Sequence, residues 1–171
     1  ADLELAANGD VFASLGILGR SVVLKSSFIT HGANTGALGN WTDITPATPT
    51  VTQRTEIVLA PSDAQRVYLL MQDSATSQVL NIFRSTNGGN NWTTLAAPSA
   101  LNNGANSQTW FNLTGAVDPN NANILIVGGL NLARSTDAGD NWTTISSSAT
   151  VHVDHHALVF DGSSRLINGN D

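Results

Sequence analysis

His152-Val153-Asp154-His155-His156 gathers three of the chain's four histidines around a carboxylate, the one local concentration of titratable groups in the sequence. Side chains alternate along a strand, so in extended backbone His152, Asp154 and His156 share one face while Val153 and His155 take the other. Residues two apart stand about 7 Å from each other at Cα, which lets two side chains converge on one ion. These three are therefore the candidate metal or ligand site, and a metal ion is the one cofactor the sequence leaves open. The plainer reading is a hydrogen-bonded polar strand, because the pattern shows no full ligand set.

Trp110-Phe111 is an aromatic pair that belongs to no repeated motif. Trp110 could stack on a sugar ring, whereas packing between neighbouring units is the simpler use of such a ring. Cysteine is absent, which removes disulfides, thiolate metal sites and cysteine nucleophiles together and leaves the redox compartment open. The seven Lys and Arg residues are scattered singly in a chain of net charge −6, so nucleic acid is not an expected partner. No apolar stretch approaches the ~20 residues of a membrane helix, so no transmembrane segment is expected. The first residues have neither a basic start nor an apolar core, so they are not a signal peptide. A palette rich in Asn, Ser and Thr, with only 12% charged residues, suits a bacterial protein that is secreted or held at the cell surface.

The elements that must position these residues come from a repeat. Asn40-Trp41-Thr42, Asn91-Trp92-Thr93 and Asn141-Trp142-Thr143 place their tryptophans 51 and 50 residues apart. The stretch from Phe83 to Trp92 aligns without gaps to that from Ala133 to Trp142. Ser85, Asn87, Gly89 and Trp92 thus match Ser135, Asp137, Gly139 and Trp142, a Ser-x-Asp/Asn-x-Gly-x-x-Trp box. The earliest copy starts at Lys25-Ser26-Ser27, ends at Gly39-Asn40-Trp41 and carries about eight extra residues, read as a lengthened loop. Physically the box needs a short carboxylate or amide to accept backbone N–H bonds, a glycine at positive φ, and an aromatic that pins the hairpin. All of these are structural tasks.

Between the boxes, short β-branched and aliphatic runs alternate with turn signals. The second repeat predicts strands at 55–60, 66–72, 79–85 and 91–95, and the third at 109–117, 123–128, 131–135 and 142–145. The first offers 10–15, 21–26 and 41–44 without a convincing innermost strand, and the last offers 151–160 and 165–168. A period of about fifty residues with four strands is a propeller blade. The predicted fold is all-β, a partial β-propeller of four-stranded antiparallel blades: residues 1–48 a partial blade, 49–98 and 99–148 whole blades, 149–171 the start of another. Propellers have about 4–8 blades, so the ring is expected to continue outside this stretch.

The box resembles the Asp-box of the BNR-repeat propellers, a family that includes sialidases, sortilin-type receptors, xyloglucan-degrading glycoside hydrolases and many secreted bacterial proteins. The resemblance extends over nearly all of the chain and implies that the boxes lie at the propeller's periphery, away from any active site. A sialidase-like site would require an arginine triad, a nucleophilic Tyr with a Glu partner and an acidic Asp. That set is not visible, since Tyr68 is the only tyrosine and neither Glu4 nor Glu56 sits in a recognisable motif. A xyloglucanase-like enzyme needs two carboxylates ~5–9.5 Å apart across one glycosidic bond. Asp10, Asp43, Asp63, Asp73, Asp118, Asp154 and Asp161 are candidates from which nothing selects a pair, so the catalytic residues are unknown. The leading expectation is an extracellular scaffold or glycan- or protein-binding module. Its partners would be the remaining blades of the same protein or of a partner chain, and a glycan or cell-surface protein. The alternative is a fragment of a secreted glycoside hydrolase, sialidase-like or xyloglucanase-like.

Overall fold

Val67-Tyr68-Leu69-Leu70-Met71 is apolar at every position, and all five side chains are buried on alternate faces of one strand. Val67, Leu69 and Met71 join Phe12, Val23, Ile57 and Phe83 in one apolar layer. Tyr68 and Leu70 join Val58, Leu113, Leu125 and Val127 in another. A continuous apolar run is what a strand needs when sheets cover both of its faces.

The computed structural model describes residues 1–16, 19–102 and 107–171. Three antiparallel sheets each run in chain order. The first holds β1 (Asp2–Leu5), β2 (Val11–Leu15), β3 (Val22–Ser26) and β4 (Thr42–Asp43). The second holds β5 (Thr52–Ala60), β6 (Asp63–Asp73), β7 (Val79–Ser85) and β8 (Thr93–Ala96), and the third β9 (Thr114–Val117), β10 (Leu125–Gly128), β11 (Leu132–Ser135) and β12 (Thr143–Thr144). A two-stranded sheet pairs β13 (His155–Phe160) with β14 (Leu166–Asn170). β5 packs against β1 and β2, β9 against β5, and β13 against β9 and β10. The sheets are successive propeller blades, and β1, β5, β9 and β13 are their innermost strands. Among the described residues no helix is long and apolar enough to cross a membrane.

Three expectations change. The first blade does have an innermost strand, Asp2–Leu5, paired along its length with β2. Its Asp-Leu-Glu-Leu pattern is weak as a core strand because Leu3 and Leu5 are 67% and 70% exposed. The strand predicted at 109–117 begins at Thr114, since Phe111 N and Asn112 N both donate to the Gln108 carbonyl and close a turn. The strand predicted at 151–160 begins at His155 and carries a bulge between His155 and Ala157. The lengthened loop after β3 contains a short helix, α1 (Phe28–His31), and a 3-10 turn at Gly32–Asn34.

Both intact boxes fold alike. Ser135 Oγ accepts from Gly139 N at 2.7 Å and donates to Asp137 Oδ1, which in turn accepts from Asn141 N at 2.9 Å. Ser85, Gly89, Asn87 and Asn91 make the same set. Hydrogen bonds from Asn141 and Ser135 hold the Asp137 carboxyl down at about 2. Trp92 Nε1 donates to the Ile44 carbonyl and Trp142 Nε1 to the Ala96 carbonyl, so each box tryptophan ties its blade to the one before. The degenerate copy keeps part of this, with Gly36 N donating to Ser26 Oγ at 2.8 Å.

Ala138 sits at φ 62°, where the equivalent Gly88 has φ 65°. A side chain in the left-handed region costs about 1 kcal/mol. Ala138→Gly is accordingly expected to stabilise the chain by up to ~1 kcal/mol in urea unfolding, and a loss of stability would show that the Ala138 methyl contributes more by packing.

Candidate functional site

In each blade the first strand starts on the side where the second ends and the third starts. The turn between third and fourth strands, which is the box, therefore lies on the opposite side. Arg54 and Glu56 at the start of β5, the 107–113 turn before β9, and 152–156 at the start of β13 all fall on the starting side. That side gathers the chemistry that the boxes do not use.

Arg54 and Glu56 are two apart on a strand and so share a face, turned toward the third blade. Arg54 Nη1 donates to the carbonyls of Trp110, at 3.2 Å, and Phe111, and Nη2 donates to that of Leu113 at 2.7 Å. The Glu56 carboxylate lies 3.5 Å from Nη2. One guanidinium thus fastens the whole 110–113 segment to β5, as a planar fork with five donors can. Leu113 anchors the same segment from below, since it is fully buried in the apolar layer between the second and third blades. Trp110 and Phe111 are left 51% and 49% exposed, their rings 5.6 Å apart and tilted. The Phe111 ring meets His156 edge-on at 4.5 Å.

Beside them, the innermost strands enclose a depression of about 430 Å³ lined by Glu4, Glu56, Thr114, Gly115 and His156, among others. Burial pushes the Glu56 carboxyl up to about 7, the neighbouring charge of Asp2 adds to the rise, and Arg54 opposes it. Burial also raises Glu4, with Asp2 contributing. Asp2 itself accepts from Ile57 N at 2.8 Å and so ties β1 to β5. A larger depression of about 770 Å³ around α1 lies on the box side. Its charged pair, Asp10 and Lys25, is already joined at 2.9 Å, which leaves it little chemistry of its own.

His152, Asp154 and His156 are not three residues of one strand face. His152 is exposed and its Nδ1 lies 3.2 Å from the Val153 carbonyl oxygen. Asp154 turns the chain at φ 64° and accepts from Asn112 Nδ2 at 2.5 Å. His156 Nε2 lies 3.2 Å from Asp171 Oδ1. Among the described residues no group of three or more His, Asp and Glu side chains is placed to hold a metal ion. The turn at Asp154 breaks the alternation that the shared face required. His155 is the fully buried member, with Nδ1 at 2.9 Å from Asn168 Oδ1.

Trp110 stands at the candidate site as an exposed ring. Arg54, Glu4 and Glu56 carry no motif, yet the sequence held a signal for two of them. Arg54-Thr55-Glu56 at the head of a predicted strand puts opposite charges on one face, the rule already used for the histidines. Their pairing with 110–113 is long-range and invisible in the chain.

No family model matches the sequence, and neither does any curated protein. Solved structures do match in fold. A GH74 enzyme from Niastella koreensis is 25% identical with TM-score 0.67, over 95% of this chain and 24% of that one. The GH74 xyloglucanase from Xanthomonas campestris is 19% identical with TM-score 0.63, over 95% and 25%. YCF48 from Cyanidioschyzon merolae is 14% identical with TM-score 0.63, over 98% and 47%. The chain spans about a quarter of the two GH74 chains and about half of YCF48, and what it shares with them is the β-propeller fold.

Proposed function

We propose that this chain is a blade segment of an extracellular Asp-box propeller that binds a polysaccharide on the side where its innermost strands start. One observation carries the reading: Trp110 and Phe111 stand half exposed, fixed from behind by Arg54, beside the carboxylates of the central depression. An exposed aromatic face with adjacent hydrogen-bonding carboxylates is what a sugar ring needs, stacking for its C–H face and acceptors for its hydroxyls. The likeness to GH74 enzymes favours a glucan such as xyloglucan as the first ligand to try. On the opposite side the box side chains spend their hydrogen bonds on their own turns. Further blades, on the same protein or a partner chain, would cover the exposed Leu3, Leu5, Val159 and Ile167.

Affinity electrophoresis in xyloglucan, mixed-linkage glucan and polysialic acid tests the reading. Retardation by one glucan is expected, and Trp110→Ala should weaken it about tenfold with an unchanged melting temperature. Equal retardation of the variant would remove Trp110 from the site, and no retardation by any glycan would end the proposal.

The acidity of Glu56 favours a second reading, glycoside hydrolysis. A carboxylic acid raised to about 7 with a second acidic side chain near it is the kind of group such hydrolysis uses as its acid. Release of reducing ends from xyloglucan, abolished by Glu56→Gln, would support it, whereas binding without release leaves the module purely a binder.

A further inference from the structure

Lys25, Arg84 and Arg134 hold one repeat position, each immediately before the serine that opens a box. Lys25 Nζ donates to the Gly88 carbonyl at 3.0 Å, and Arg84 Nη1 donates to the Ala138 carbonyl at 2.9 Å. Gly88 and Ala138 are the same residue of successive boxes. Each cation therefore clamps the box turn of the following blade, and Arg84 adds an ion pair to Asp140 at 2.9 Å. A second contact repeats with it. Ile44 and Leu95 follow Trp41 and Trp92 by three residues, and each lies against the glycine of the next box. A Cβ built on Gly89 would stand 2.7 Å from Ile44 Cδ1, and one on Gly139 2.8 Å from Leu95 Cδ1. The third contact is the indole N–H of the next box, received by the carbonyl of Ile44 in one case and Ala96 in the other.

A cation, an aliphatic side chain and a backbone carbonyl thus form a receptor for a box hairpin, and it is filled twice within the chain. The third blade repeats all of its parts. Arg134 is exposed, and its guanidinium makes no hydrogen bond or ion pair among the described residues. Ile145, three residues after Trp142, is 44% exposed. Arg134, Thr143 and Ile145 border a hollow of about 180 Å³. The first two strands of a fourth blade already lie on this blade, with β13 against β9 and β10. In the other sheets the third and fourth strands add outward in chain order, which beside β14 brings them over β11 and β12.

We infer that Arg134, Ile145 and the carbonyls of Ile145 and Ser146 are a docking site for a box hairpin, its occupant the third and fourth strands of the fourth blade on the same polypeptide. Two filled interfaces of the same design, continuous with this one, specify the occupant: a turn carbonyl for the guanidinium, a glycine over Ile145, and an indole N–H for the carbonyl. Independence from the glycan reading lets either stand without the other.

A copy of residues 74–97, which supplies the turn, third strand, box and fourth strand of the second blade, can be appended directly after Asp171. Asp73 ends the second strand of its blade and Asp171 directly follows the second strand of its own, so the join continues the sheet. The extended chain is expected to melt higher by roughly 5 °C or more, with slowed exchange of the added indole N–H. Arg134→Met should remove most of that gain and leave the melting temperature of the unextended chain unchanged. An appended hairpin that stays disordered by NMR, or a gain insensitive to Arg134→Met, would overturn the site. Self-association of the unextended chain through Arg134, read by sedimentation, would make a second copy the occupant and overturn the inference as stated.

Discussion

Glu56→Gln is expected to stabilise the chain by about 2–3 kcal/mol at pH 8 and to leave it nearly unchanged at pH 4.5. The fold raises this carboxyl from 4.5 to about 7, chiefly by burying it and secondly by the charge of Asp2. A raised acid is favoured in its neutral form, so its contribution is fully present below pH 4.5. It is lost as pH rises through about 7, where the group ionises in a site that disfavours the charge. Glutamine keeps the shape without the charge. Arg54 then loses an ion pair at 3.5 Å but keeps its three carbonyls. Urea unfolding of both proteins at pH 4.5, 6 and 8 reads the difference, and a difference that does not grow with pH would mean that Glu56 is solvated or firmly paired. The same titration should appear in ligand binding if Glu56 faces the sugar, with a midpoint near 7 that the glutamine variant lacks.

Leu113→Ala is expected to cost about 2–5 kcal/mol, lowering the melting temperature by roughly 10 °C. Leu113 is completely buried between the second and third blades, where Tyr68, Leu70, Leu101 and Leu125 leave little room for collapse. Its carbonyl accepts from Arg54, and it lies two residues after Phe111 of the aromatic pair. The cavity therefore opens under the binding surface, and glycan affinity should fall together with stability. Leu80→Ala is the control, since Leu80 is 43% exposed and its loss should change stability by less than ~0.5 kcal/mol. Equal losses for the two would show that the inter-blade layer is not the centre of stability.

The repeat was legible because its signals are local. Ser135-Thr136-Asp137-Ala138-Gly139 encodes a turn through groups within a few residues of each other, and the apolar strands between boxes carry their own period. Elements with weak local signals are less legible. Asp2–Leu5 reads poorly because its alternate positions are exposed leucines and acids that act through other strands, as when Asp2 accepts from Ile57 N. The last innermost strand starts later than its polar run predicts, because nothing local in that run shows that Asp154 turns at positive φ.

The all-β class, the fifty-residue blade and the box turns are written in the sequence alone. Each of these follows from composition or from interactions between near neighbours. Only the tertiary structure decided where chemistry collects. It separated His152, Asp154 and His156, brought Arg54 against carbonyls more than fifty residues away, and buried Glu56 until its acidity changed. Desolvation and long-range hydrogen bonding depend on what another blade places opposite a residue, and that is a property of the packed sheets rather than of the local sequence.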